Sequence, residues 1–147
     1  ETQSAGLSWL TVLKKRDGYR EAFEGFGLEK VAAYDGDDVA RILDSGLVIK
    51  SKPKIEAIIN NAKLFLQIRD EYGSLDAYFW GKVGSKTIIN DVPDYRTAAC
   101  TSPISDEITK ELKKRGFKFI GSTTIYAFMQ ACGMVDDHEN GCFCKAK

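Results

Sequence analysis

The sequence predicts an all-α protein, a compact helical bundle, on three observations. Apolar residues recur at three- and four-residue intervals along most of the chain; Gly, Ser and Pro punctuate those runs at helix boundaries; and no segment alternates apolar with polar residues for long enough to build a sheet. With 147 residues, 44% of them hydrophobic and 11% aromatic, the chain has material for one sizeable core, so a single domain is expected.

After a turn at 4–7, Trp9, Leu10, Val12, Leu13, Tyr19, Phe23 and Phe26 keep a helical spacing up to Gly25 and Gly27, which predicts one amphipathic helix. Residues 28–33 read as a turn. Asp37 and Asp38 open a second helix through Val39, Ile42 and Leu43, closed by Gly46. Pro53 suits the first turn of a longer helix with Ile55, Ile58, Ile59, Ala62, Leu66 and Ile68 on one face, ending near Tyr72. Another short helix covers 74–80. The pattern then fails over 81–101, which reads as a long loop. Ser105 is expected to cap a helix with acids in its first turn and Lys113, Lys114 and Arg115 in its last, closing at Gly116. A final helix runs from about Ser122 to Cys132 and stops at Gly133. The strand-like pieces 86–90 and 117–120 are too short to make a sheet.

Net charge is zero, which by itself argues against a general polyanion binder. The distribution is uneven, however. Acids gather between Glu21 and Asp44, whereas Lys14-Lys15-Arg16, the trio Lys50, Lys52 and Lys54, and Lys113-Lys114-Arg115 with Lys110 and Lys118 form basic clusters. These read either as solvated helix faces or as a phosphate-facing surface. No apolar run reaches the roughly 18 residues that span a bilayer, so no membrane association is expected. Cysteines at 100, 132, 142 and 144 are too sparse and too clustered for a disulfide scaffold, which favours a reducing, cytoplasmic setting; a monomer is expected.

Two stretches carry chemistry. In LKKRGFKFIGSTTIYAFMQACG (112–133) a helix ends at Gly116, a tight turn leads to Gly121, and a second helix opens on Ser122, Thr123 and Thr124. The free N–H groups of that helix start form an anion cradle, and Arg115 and Lys118 beside it favour a DNA phosphate. The stretch resembles a helix-hairpin-helix element, and an ordinary helical hairpin capped by Gly116 and Gly121 fits the same spacing. The second stretch is DDHENGCFC (136–144), which contains the only histidine. His138 and Cys142 have the spacing of half a tetrahedral zinc site. Cys144 is a candidate third ligand and Cys100 or Cys132 a fourth, but Cys132 lies on an apolar helix face and is expected to be buried. An unstructured tail with incidental His and Cys is the plain alternative. The domain reading is therefore 1–135 as the helical body and 136–147 as the C-terminal half of a zinc-binding segment.

The stretches ETQSAGLSWLTVLKKR (1–16), KIEAIINNAK (54–63), YFWGKV (78–83) and SPISDEITKELKKRGFKFIGSTTIYAFMQACGMVDDHENGC (102–142) resemble the DNA-3-methyladenine glycosylase I family over nearly the whole chain. The resemblance implies a monofunctional DNA repair glycosylase that turns a 3-methyladenine nucleotide out of double-stranded alkylated DNA and hydrolyses its glycosidic bond, releasing free 3-methyladenine. It assigns Glu1 as the pocket carboxylate that meets the edge of the base, and Trp9 as the stacking face suited to a cationic base. Gly6 and Leu7 match the turn that presses into the duplex. His138 and Cys142 match the C-terminal pair of a structural zinc site. Thr123 and Thr124 stand where bifunctional members of the wider superfamily carry a nucleophilic lysine, which implies that water attacks the sugar. Asp136 and Asp137 lie beside His138 and take no catalytic role. The stretch Thr2-Gln3-Ser4 departs from the pattern, since a glutamine is expected just before the Ala-Gly pair.

The first methionine is Met129, so Glu1 is not a translation start and a preceding segment is expected. The resemblance places the other zinc ligands and further pocket aromatics in that segment, which leaves the tail of the present chain mobile and weakly metal-binding. Two readings stand beside the enzyme: a non-catalytic helix-hairpin-helix DNA-binding module, and a zinc-organised domain whose basic hairpin contacts protein.

Overall fold

The computed structural model describes residues 1–146. Its α-helices are α1 (Trp9–Leu13), α2 (Arg16–Ala22), α3 (Leu28–Ala32), α4 (Gly36–Asp44), α5 (Lys52–Tyr72), α6 (Leu75–Gly81), α7 (Pro103–Arg115) and α8 (Ser122–Ala131). Two short strands, β1 (Ile88–Ile89) and β2 (Val135–Asp136), pair in parallel, Ile88 opposite Val135. The mostly helical prediction holds, but 86–90, expected to be too short for a sheet, supplies β1 by pairing with β2 from beyond α8, and the same long loop carries a 3-10 turn at Tyr95–Thr97 capped by Asp94.

The single helix predicted from Trp9 to Phe26 is a correction: it is broken at Lys15, whose φ of −98° and ψ of 3° leave the helical region. The break has a packing reason. No residue of α1 is buried, whereas α2 buries Tyr19 and Ala22 and sets Gly18 against Leu47 so closely that a Cβ would lie 2.2 Å from the Leu47 carbonyl oxygen. The close approach of Gly18 to Leu47 fixes the direction of α2 independently of the exposed α1. Residues 28–33, expected as a turn, form α3, which buries Val31 and Ala32 and packs along α5. The α7 cap is Ser102, not Ser105. Pro103 occupies the first turn, and Ser102 and Ser105 cap each other's backbone reciprocally.

Two apolar clusters form the interior. Tyr19, Phe23, Val31, Ile42, Val48, Ile55 and Ile59 make one; Ile68, Tyr78, Ile108, Leu112, Phe117, Tyr126 and Met129 make the other. The long helix α5 contributes to both, so it sets the register of everything that packs on either side.

Candidate active site

The first residues fold as a 3-10 turn over Thr2–Ser4, with the Ser4 N–H donating to the Glu1 carbonyl. The turn is held from below. Lys54, buried on α5, donates through Nζ to the carbonyls of Gln3 and Ala5, each at 2.6 Å. The Gln3 side chain donates to the Lys54 carbonyl and accepts from the Tyr19 hydroxyl. Burial pushes the Lys54 amine below its usual range and the Tyr19 phenol above its own. Gly6 follows at φ +72°, a left-handed conformation that favours glycine. Leu7 beside it is exposed, and Ser8 caps α1 by accepting from the Thr11 N–H.

Trp9 is 59% exposed, which removes the core alternative. It shares a recess of about 400 Å³ with Glu1, Arg16, Tyr19 and Phe26. Two further recesses, more apolar in lining, flank Glu1 and Thr2, and Asn61 and Phe65 line both. The two residues assigned to the pocket therefore meet on one face, with Gly6 and Leu7 on the turn between them.

The hairpin closes as predicted, Gly116 taking the left-handed conformation at φ +99°. What fixes it comes from α5. The Asn60 side chain donates to the Gly116 carbonyl, and Asn61 both donates to the Lys118 carbonyl and accepts from the Lys118 N–H. Phe117, between the two clamped residues Gly116 and Lys118, is buried as a member of the second cluster. No side chain caps α8, whose N-cap is Gly121, so its first N–H groups face outward, and a Cβ at Gly121 would meet open space. Lys118 and Thr123 are exposed. Ser122 is turned inward, its hydroxyl bonded to that of Ser105, and the Thr124 side chain lines an apolar recess, so these two offer backbone to the outside. Arg115 is corrected from the phosphate-facing set. Its guanidinium donates twice to Glu71, at 2.6 and 3.0 Å, and pairs with Glu111, so its charge is already engaged.

The tail is tied down where free movement was expected. Asp136 accepts from the N–H groups of His138 and Ala146, Lys145 donates to the Asn90 and His138 carbonyls, and Asn140 bridges Asp91 and Val92. His138, Cys142 and Cys144 bring their ligand atoms within 4.8 Å of one another. One imidazole and two thiols are donors that suit zinc. Cys132 is exposed at the end of α8 rather than buried, a correction that follows from its place at the C-cap, past the last core-facing turn.

The family model for methyladenine glycosylase matches residues 1–145. The chain belongs to that family. Similar proteins include the DNA-3-methyladenine glycosylase of Haemophilus influenzae, 47% identical over 145 residues, which are 99% of this chain and 78% of that protein. DNA-3-methyladenine glycosylase 1 of Escherichia coli is 43% identical over 144 residues, covering 98% and 77%. Among solved structures, a crystal structure of 3-methyladenine DNA glycosylase I aligns at a TM-score of 0.89 and 44% identity, over 99% of this chain and 80% of that one. The Staphylococcus aureus enzyme, whose structure concerns recognition of 3-methyladenine, aligns at 0.94 and 36%, over 99% and 78%.

Sequence reasoning about this family member overlooked Gln3, Asn60 and Asn61, and it grouped Lys54 with Lys50 and Lys52 as one basic cluster, from which the fold withdraws Lys54 into the interior. The available signal was positional: Lys54 and Asn61 fall among the core-facing positions of the amphipathic α5, beside Ile55 and Ala62, where a polar side chain is rare unless it has a partner.

Proposed function

We infer that this chain is a DNA repair glycosylase that removes 3-methyladenine from double-stranded alkylated DNA by base excision. The observation that carries the site assignment is the recess shared by the Glu1 carboxylate and the exposed Trp9, next to the positive-φ turn at Gly6. A stacked base cannot be reached inside a duplex, so the nucleotide is turned out, and Gly6 and Leu7 enter the space it leaves. Trp9 stacks on the base, whose N3 methyl group makes it cationic, and Glu1 accepts hydrogen bonds from its edge. Lys118 and the N–H groups of Ser122, Thr123 and Thr124 hold the backbone phosphate near Gly116 and Gly121 without reading sequence.

The cationic base is a ready leaving group. Water forms the new bond to the sugar carbon, the glycosidic bond breaks with its electron pair going to the base, and the proton lost by water goes to solvent. Thr123 and Thr124 provide no amine to attack the sugar, so the strand is left uncut. His138, Cys142 and Cys144 would hold zinc, which would supply a structural cross-link over the 136–147 segment and no chemistry. Among the described residues no helix is long and apolar enough to cross a membrane; a cytoplasmic monomer is our reading.

Incubation with methylated duplex DNA, followed by chromatography of released bases, tests this. Free 3-methyladenine with intact strands is expected. A borohydride-trapped protein–DNA adduct would contradict attack by water, and binding without release would favour the non-catalytic module.

A further inference from the structure

The ammonium of Lys54 is an unusual investment for a small protein. It is only 7% exposed, its direct hydrogen-bond partners are two carbonyls, and no carboxylate pairs with it among the described residues. Burying a cation without a counter-charge is costly, and a methionine would fill the same volume without that cost. The two carbonyls explain what is obtained in exchange. Those of Gln3 and Ala5 bracket Ser4, so one charged group grips the turn between Glu1 and Gly6. The Gln3 side chain returns to the Lys54 carbonyl, making a closed loop of three hydrogen bonds between the turn and one residue of α5. Across the same ammonium, 5.8 Å away, lies the ring of Phe119 in the hairpin, held at a positive φ of 53°.

On the same helix, Asn61 clamps the hairpin backbone at Lys118. Seven residues of α-helix separate the two groups by about 10.5 Å, a spacing of two turns on one face. The turn that faces the duplex and the hairpin that faces the phosphate are thus both indexed to α5, one through Lys54 and the other through Asn61.

We propose that Lys54 is a positioning residue for base excision, fixing the Glu1–Leu7 turn against α5 in register with the phosphate-gripping hairpin. The proposal rests on the reading of the chain as a base-flipping glycosylase. Release of 3-methyladenine by the unaltered protein tests that reading separately. A misplacement of the order of an ångström at a site of this kind costs about a hundredfold in rate, so the consequence is measurable.

The experiment compares Lys54→Met, which keeps the stem and removes the charge, with Lys54→Arg. Single-turnover release of 3-methyladenine, affinity for undamaged duplex and melting temperature are read for each. Lys54→Met is expected to slow release by about tenfold or more while affinity for undamaged duplex, which depends on the hairpin, changes less than about twofold. Lys54→Arg is expected to recover part of the rate. Wild-type release by Lys54→Met overturns the proposal, and so does a parallel loss of release and undamaged-DNA affinity, which would mean a general role in the fold. If Lys54→Met does not fold, Lys54→Arg decides: a rate lowered about threefold or more at unchanged affinity supports positioning, and a wild-type rate overturns it.

Discussion

The side-chain amide of Asn61 and the backbone of Lys118 exchange two hydrogen bonds, at 2.9 and 3.0 Å, so that a helix side chain reads the hairpin as a neighbouring strand would. Both partners are backbone groups that lack a helix or sheet partner of their own. Replacing Asn61 with Ala leaves them unsatisfied in a half-buried place, and a loss of about 1–3 kcal/mol is expected in denaturant unfolding. Duplex affinity should fall with it, because the Gly116–Gly121 turn loses its anchor.

Lys118 and Arg115, three residues apart, are expected to behave differently. Lys118→Ala should reduce the slope of log affinity against log salt by about one, uniformly across DNA sequences, as removal of one phosphate contact does. Arg115→Ala should leave that slope unchanged, since its guanidinium is held by Glu71 and Glu111. Its effect should appear in stability instead, at roughly 1 kcal/mol, because the pair is partly open to solvent. Affinity titrations at several salt concentrations check both.

Trp9→Ala should slow base release through lost stacking, worth roughly 1–3 kcal/mol, and leave the melting temperature nearly unchanged, since the ring is 59% exposed. Glu1→Gln should be milder, keeping one acceptor on the base edge while removing the charge. Equal release by Trp9→Ala and the unaltered protein would remove Trp9 from the pocket.

Alkaline stability offers a check on the second cluster. Burial, then the carboxylate of Asp137, push the Tyr126 phenol up to about 12. The unfolded chain loses this proton near pH 10, so the contribution is complete below about pH 10 and falls as the pH climbs from there toward about 12. Tyr126→Phe should flatten the decline between about pH 10 and about pH 12 in denaturant unfolding. Some slope will remain, because burial also raises Tyr19 and Tyr78.

The helices with strong boundary chemistry were legible in the sequence: α4, α5, α7 and α8 run close to where Gly46, Pro53, Gly116 and Gly133 place them. Local rules suffice there because glycine at a helix end and proline at its start act within one turn. The break at Lys15 was not legible, since it depends on Gly18 meeting Leu47, a contact no window of sequence contains. The same holds for the site. Glu1 and Trp9 were named from the resemblance, but the Lys54 and Asn61 supports join residues 49 to 57 positions apart, and a charge or amide inside an apolar run gives no partner's address. Arg115 shows the reverse error: a basic cluster read as one surface is divided by the fold, which points one member at Glu71 and leaves Lys118 outside.

The tail makes the sharpest chemical prediction. His138, Cys142 and Cys144 present three donors within 4.8 Å of one another, and the backbone around them is pinned by Asp136 and Lys145 before any metal arrives. Preorganised donors lose less entropy on binding, so one zinc per chain is expected, weaker than a closed four-ligand site because the fourth position falls to water or to another group. Competition against a chromophoric chelator gives the affinity, and cobalt substitution reports how many thiolates bind. Removing His138 or Cys142 should abolish binding, whereas Cys144→Ser should weaken it and halve the thiolate charge-transfer band. Affinity should also fall as the medium is acidified, since thiols must lose their protons to bind. A cobalt spectrum unchanged by Cys144→Ser would return the site to two ligands from the tail, with Cys144 a bystander.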